Sequence, residues 1–514
     1  SDVYKRQSAK KYTGRKVGGS AFDMIAEMGD KANIDFTTGL TSDGKRDVYG
    51  GRFDPSSLAS YFGRLSYNYA ERYMFQFTVR RDGSSNFGPN NKWATFPSVS
   101  LGWNVTNEPF MQKRPDWLNS IKLRLSWGKN GNENIGAFRY IANVSMGNNY
   151  VFGGGNNQVI INGSKPSGTP NPDLKWEESE QYDAGLDFGL LGNSLTFSVD
   201  YFLKRTNGML KEMSIPSYLG ESKPWGNVGS MENSGIEVDL GYRFTVGDFN
   251  VRVGGNLSYL KNKLINLGNS DGFEMKDNVH MLGNVSRAEN GEVYPFFYGY
   301  KTAGIFQNQA QIDAYVNERG EKIQPHAEPG DVIFVDMNGD GVLDDADRTK
   351  IGKGTPDWTY GINLSASWKD FDFSMLIAGA IGNDIFDATR RLDLRYVNLP
   401  AEMMGRWHGE GSSNVLPRFT WTNNNDNYRV SDLYIKDGSY MRLKNIQLGY
   451  TLPKSWTNKV FISSLRVYVA AENLLTLTGY EGFDPEISYD ASAGIDRGIY
   501  PQARTFTLGV NLNF

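Results

Sequence analysis

Cysteine is absent from this sequence, and histidine occurs only three times, at His280, His326 and His408. Without cysteine there is no disulfide framework, no thiolate metal site and no cysteine nucleophile. None of the histidines lies in an H-E-x-x-H or G-x-S-x-G setting, and neither a P-loop nor a dinucleotide fingerprint occurs. Catalysis would have to rest on scattered carboxylates, so the chain reads as a non-enzyme. Long apolar runs are missing as well. No stretch reaches the roughly 18 residues that a membrane-spanning helix needs. The formal net charge is only −4, which leaves no basic footprint for nucleic acid. The first residue is Ser1, and residues 1–16 hold neither an apolar core nor a small-residue cleavage site of an export signal. Either the protein is not exported, or its native start lies upstream.

What the chain does have is glycine, with 58 residues, and an aromatic content of 13%. A soluble chain of 514 residues would ordinarily split into several domains, because single cores stop growing at about 250 to 300 residues. A β-barrel escapes that limit by adding strands around a wet or plugged lumen. Its lumen-facing positions are polar at every second residue, so a negative mean hydropathy does not argue against it.

The period-two pattern supports the barrel. Tyr61, Gly63, Leu65, Tyr67 and Tyr69 alternate with Arg64, Ser66 and Asn68. Past a tight turn at 70–72, Tyr73, Phe75, Phe77 and Val79 alternate with Gln76, Thr78 and Arg80, completing a hairpin. Two-faced runs recur over 99–103, 121–127, 182–188, 195–203, 236–242, 249–259, 360–368, 371–377, 441–450, 465–471 and 505–514. They amount to roughly thirteen to fourteen strands of about ten residues, long enough for a tilted membrane crossing and longer than ordinary sandwich strands. Aromatics stand near strand ends, as at Tyr69, Tyr73, Trp127, Tyr201, Tyr242, Tyr259, Trp368 and Tyr450, where a girdle meets lipid headgroups.

The connections alternate in length. Tight turns at 70–72, 191–193, 246–248 and 369–370 separate long Gly/Asn/Asp-rich segments at 81–92, 129–176, 206–233, 261–356 and 381–438. Barrels of this kind keep short turns in the periplasm and long loops outside. Under that rule 61–69 and 505–514 both run toward the periplasm. Two strands of like direction cannot close an antiparallel barrel, so an odd number of strands is expected to be missing before Tyr61, with the chain incomplete at its N-terminus. Residues 1–60 are accordingly expected to be a partial extracellular loop and irregular edge. Residues 61–514 form the wall, whose last strand ends at an open edge.

One loop carries a metal-binding pattern. Asp336, Asn338, Asp340, Asp344 and Asp347, with the carbonyl of Val342 and the turn residue Gly341, follow the spacing of a calcium loop. Asp347 stands where glutamate is usual, which weakens bidentate ligation. The same composition also suits an Asp/Gly turn that folds without metal. Trp225, Tyr294, Phe296, Phe297, Tyr298, Tyr300, Trp407 and Trp421 fall in the long loops. Such residues either stack on sugars or a partner, or pack the loops against one another.

Several stretches resemble the SusC/RagA family of TonB-linked outer-membrane proteins of Bacteroidota. They are R-D-G-S-S-N-F from Arg81, N-V-G-S-M-E-N-S-G-I-E-V from Asn227, F-Y-G-Y-K from Phe297 with G-I-F-Q from Gly304, and the calcium-like loop. Further on come G-S-Y-M-R-L-K-N from Gly438, L-G-Y from Leu448, A-E-N-L-L from Ala471, Y-E-G-F-D-P-E from Tyr480 and P-Q-A-R-T-F-T-L-G from Pro501. The resemblance implies an all-β fold, a transmembrane antiparallel β-barrel of the TonB-dependent receptor type with about 22 strands in the whole protein. It also implies import of oligosaccharides or peptides, a SusD-like lipoprotein over the loops, and energy from the TonB complex. No TonB box or plug domain is visible in this chain. Phe514 also matches the family. An aromatic terminus on a strand whose Leu508, Val510 and Leu512 face lipid resembles the signal read by the barrel-assembly machinery. The competing reading of the whole chain is a non-transporting surface protein, an adhesin or glycan-binding module.

Overall fold

The computed structural model describes residues 2–20, 22–24, 37–39, 47–142, 144–146, 148–155, 158–161, 163–166, 168–213, 215–390, 401–422, 424–457, 459, 461–487 and 494–514. Fourteen strands form one antiparallel sheet in strict chain order. They are β1 (Asp2–Ser20), β2 (Asp47–Tyr69), β3 (Tyr73–Ser84), β4 (Trp93–Asn104), β5 (Leu118–Asn132), β6 (Glu177–Leu190) and β7 (Leu195–Asn207). The second half comprises β8 (Ser230–Val246), β9 (Phe249–Asn266), β10 (Trp358–Trp368), β11 (Phe371–Ile381), β12 (Tyr440–Thr451), β13 (Ser464–Thr478) and β14 (Thr505–Asn513). Each strand pairs with its neighbours in sequence, as short antiparallel connections permit. Among the described residues no pairing joins β1 to β14.

The register gathers the apolar residues of every strand from β2 onward onto one face. One row runs Tyr67, Phe75, Leu101, Leu125, Ala184, Tyr201, Ile236, Tyr259, Trp358, each residue directly opposite the next. Toward the last strand Phe373, Leu448, Val469 and Leu508 continue the belt. The other face is polar, as in the row Ser66, Gln76, Ser100, Ser126, Asp183. A one-residue slip anywhere would exchange the faces, so burial of the belt in lipid fixes the register.

Aromatic pairs border this belt. At the tight-turn end Tyr69 stacks on Tyr73 at 6.5 Å, Phe249 on Trp368 at 5.5 Å, and Phe371 lies 4.6 Å from Tyr450. At the opposite end Tyr61 stacks on Trp93 at 5.9 Å and Tyr259 meets Trp358 at 4.8 Å. The path from Tyr61 to Tyr69 covers about eight residues at about 3.3 Å each, or roughly 26 Å of strand. Tilted by about 40°, that is a height of roughly 20 Å, close to the apolar band of about 25 Å in outer-membrane barrels.

The structure corrects the irregular edge expected over residues 1–60. Residues Asp2–Ser20 and Asp47–Tyr69 are long strands paired from Asp2 opposite Ser66 to Ser20 opposite Asp47. β1 lies within the chain itself, so the parity argument, which took an odd number of strands before Tyr61 to be missing, does not hold. First and last strands now run in opposite directions, so direction no longer bars their pairing.

The long connections fold upon one another. Val279, Val285 and Phe297 from 267–357, Phe386, Met403, Leu416, Val430 and Tyr434 from 382–439, and Ile495 from 479–504 make one buried cluster. Phe386 stacks on Tyr434 at 5.3 Å and lies 5.7 Å from Phe297. A small sheet of Asp384–Asp387, Ile435–Asp437 and Ile495–Asp496 ties the second of these segments to the third. The loop end of the sheet thus carries a cap with its own hydrophobic core.

Candidate functional site

The polar face of the wall bears an open cavity of about 1080 Å³, with Asp187, Asp239, Arg243, Arg252, Asn363 and Asn445 among its lining residues. An ion-paired cluster borders it. Arg124 on β5 donates from Nε and Nη2 to the two oxygens of Asp187 at 2.8 Å each, and from Nη2 to Asp200 at 2.9 Å. Asp200 stands two strands away, and Arg124 reaches it across Gly185 of β6. A Cβ at Gly185 would lie 2.0 Å from Asp200 Oδ1 and 2.7 Å from Arg124 Nη2, so glycine is what permits this bridge. On the far side of the wall Arg466 makes a two-pronged bond to Asp372 at 2.8 and 2.5 Å. Paired charges of this kind hold a wet interior in shape without an apolar filling.

Where the wall meets the cap, two sequence motifs lock together. Arg442, only 2% exposed, donates to Asp484 at 2.5 Å, Glu486 at 2.8 Å and Thr476 at 3.0 Å. Lys444 donates to both Glu486 oxygens. Asp484 also accepts the amides of Gln502 and Glu486 at 2.9 and 2.8 Å. Burial pushes the Asp484 carboxyl up, but those two amides and the Arg442 guanidinium outweigh it and hold the group below its ordinary value. Nearby, Tyr480 donates to Asp496 at 2.6 Å, and burial followed by this bond pushes the phenol up. A second network fixes the strand Val332–Phe334. Asn427 and Gln324 side chains accept the Val332 and Phe334 amides at 3.0 and 2.8 Å, while Arg418 donates to buried Asp331 at 2.7 Å. Sequence reading missed these pairs, although Arg442 with Lys444 and Asp484 with Glu486 present complementary charges two residues apart.

The calcium-like loop folds by bonding to itself. Asp336 accepts the Gly339 and Gly341 amides at 2.7 Å each, Asn338 accepts that of Asp340 at 2.9 Å, and Asp340 accepts that of Val342 at 2.9 Å. Asp344 accepts the Ala346 amide at 2.7 Å. Asp347 is fully buried and accepts Met337 and Asp344 at 2.8 Å each. Gly341 has φ +82° and is pressed against Asn317, which fits its turn role. Among the described residues no three acidic or histidine side chains converge as a metal-holding group. The donors are present in the expected order, but each spends an oxygen on a backbone amide, and the arrangement as it stands is that of a self-capped turn.

Of the eight loop aromatics, Phe296, Phe297 and Tyr300 are buried, and Trp225, Tyr294, Tyr298 and Trp407 are partly buried. Packing of the loops is therefore their structural role; Trp421 is the exposed one, at 60%. Phe514 follows the last paired residue, Asn513, and is 89% exposed on the same face as Leu508, Val510 and Leu512.

The whole wall as far as β13 has a counterpart in a single family model, the β-barrel of TonB-dependent receptor-like proteins, which matches residues 6–474. The chain belongs to that family. TonB-dependent receptor P3 of Formosa agariphila is 35% identical over 519 residues, covering 97% of this chain and 50% of that protein. TonB-dependent receptor SusC of Bacteroides thetaiotaomicron is 31% identical over 468 residues, covering 89% of this chain and 44% of that protein. The RagAB peptide importer in its open-open state superimposes with a TM-score of 0.81 at 26% identity, over 100% of this chain and 52% of its own. The SusC/RagA type read from the motifs is thus borne out, and the chain spans about half the length of the relatives it matches. TonB-dependent receptor barrels are outer-membrane proteins, and the apolar belt is the surface such a barrel turns to lipid. The matched relatives are receptors and transporters, not enzymes.

Proposed function

We propose that this chain is the wall and loop cap of an outer-membrane nutrient importer that takes up oligosaccharides or peptides. The carrying observation is a polar, ion-paired cavity behind a continuous apolar belt, roofed by loops with a core of their own. The RagAB peptide importer supports the peptide class by its name, while oligosaccharides and a SusD-like lipoprotein seated on the cap are what the SusC/RagA resemblance implies. TonB would supply energy from the periplasmic side. The length rule for barrel connections supports long loops outside and tight turns with the C-terminus in the periplasm. The exposed, strand-terminal position of Phe514 supports a role as the assembly signal.

Deleting the full-length gene should abolish growth on the cognate oligosaccharide or peptide. Removing Phe514 alone should lower growth in step with the amount of assembled barrel. Normal growth of the deletion strain on every such source sinks the importer reading; undiminished assembly without Phe514 sinks only the signal. Calcium binding at Asp336, Asn338, Asp340, Val342, Asp344 and Asp347 is a subsidiary proposal, resting on spacing. It needs the carboxylates to turn toward a common point, with an affinity in the millimolar range of weak sites. Equilibrium dialysis showing no uptake at about 1 mM Ca²⁺ would remove it.

A further inference from the structure

The outward face of β1 to β4 changes character toward the loop end. Leu65, Phe77 and Val99 form an apolar row, followed by Tyr61, Arg81 and Thr95, then by Ala9, Ala59, Gly83 and Trp93, with Lys11 beyond. Trp93 stacks on Tyr61 at 5.9 Å, and the Arg81 guanidinium carbon lies 5.8 Å from the Trp93 ring. These rings form the upper girdle, so the cations around them stand at headgroup height.

The surface there is concave. A hollow of about 410 Å³ is bordered by Ala9, Lys11, Ala59, Gly83, Lys92 and Trp93. Its floor is made of small residues, and one of them is required. A Cβ on Gly83 would sit 2.7 Å from the Trp93 ring, so any side chain there would displace the indole that walls the hollow. Lys11, Lys92 and Arg81 are all exposed. Among the described residues here the acidic one, Asp82, is buried and bonds Arg80 at 2.6 Å, so it does not neutralise the rim.

We infer that this hollow binds the phosphate-bearing headgroup of an outer-leaflet lipopolysaccharide, with Lys11, Arg81 and Lys92 on the phosphate and Trp93 against the sugar or upper acyl region. The chemistry follows from position. Cations on the lipid-facing side at a girdle are costly at the bilayer midplane but not at the interface, where anionic headgroups pair with them and an indole has both an apolar and a wet side. A transported substrate would meet the opposite face. The inference rests on the proposed sidedness, which puts this end of the wall in the outer leaflet.

The test uses the full-length protein purified in detergent and titrated with mixed micelles carrying lipopolysaccharide, phosphorylated or enzymatically dephosphorylated. The wild type should bind the phosphorylated lipid at least about tenfold tighter, since each interfacial cation contributes about fivefold. The variant K11Q/R81Q/K92Q, shown to be folded by heat-modifiable gel migration, should lose that preference. Equal affinity of the wild type for both lipids, or a triple variant that keeps the preference, overturns the site. Sidedness is read separately. Because the chain has no cysteine, Asn90→Cys offers a single thiol beside Lys92, which an impermeant maleimide should label in intact cells. Absence of labelling overturns the sidedness, and the outer-leaflet lipid with it; labelling without lipid preference overturns the site alone.

Discussion

Replacing Arg442 by alanine should release the segment 479–504 from the wall and cost about 3 to 5 kcal/mol, the range for stripping one partner from a buried ion pair. Arg442 and Asp484 are both nearly inaccessible, and the guanidinium spends its donors on Asp484, Glu486 and Thr476. Without it, Asp484 retains, among the described residues, the Gln502 and Glu486 amides. The readouts are protease cleavage within 479–504 and the temperature at which the folded barrel loses its compact gel mobility. Acid supplies a second axis. The folded-state value of Asp484 is depressed, so its stabilisation is present above the ordinary carboxylate value and disappears as pH falls through the depressed one. In Arg442→Ala the folded-state value rises, so less of this stabilisation is left to lose and its loss is complete at a higher pH. A variant as protease-resistant as the wild type, with the same acid midpoint, contradicts the account.

The wall was legible in the sequence because lipid on one side and water on the other impose a period of two on every strand. All thirteen runs named from that pattern fall on strands of the sheet, the last of them overrunning its strand only by Phe514. β1 escaped for the same physical reason. Its outward positions are Val3, Lys5, Gln7, Ala9 and Lys11, so the apolar period that announces a strand is missing, and backbone pairing with β2 defines it instead. The cap was illegible for another reason. Phe297, Phe386, Tyr434 and Ile495 meet in one core although long stretches of chain separate them, and irregular segments carry no period to show which residues point inward. The loop aromatics therefore left packing and ligand stacking open, and only burial decided for packing. For Asp336 to Asp347 the spacing suited metal and also a metal-free turn, whereas the amide bonds show how the turn holds itself.

The apolar belt carries the sharpest test of the membrane reading. Leu240 on β8 faces outward opposite Phe197, roughly midway between the girdles, whereas Ser198, next along β7, lies on the polar face opposite both Asp187 and Asp239. Leu240→Arg should cost about 2 to 4 kcal/mol, the penalty for a cation at the lipid-facing midplane of a barrel. Ser198→Arg introduces the same side chain into water between two carboxylates, and its cost should fall below about 1 kcal/mol. Denaturant unfolding of the full-length protein in lipid vesicles measures both. The contrast matters more than either value. A water-soluble sheet protein would leave an arginine at position 240 solvated and nearly neutral, since surface substitutions stay within about 0.5 kcal/mol. Equal effects at the two positions would therefore deny that one face meets hydrocarbon, and the importer proposal would lose the belt on which it stands. A large penalty at Leu240 alone assigns the faces independently of any family likeness.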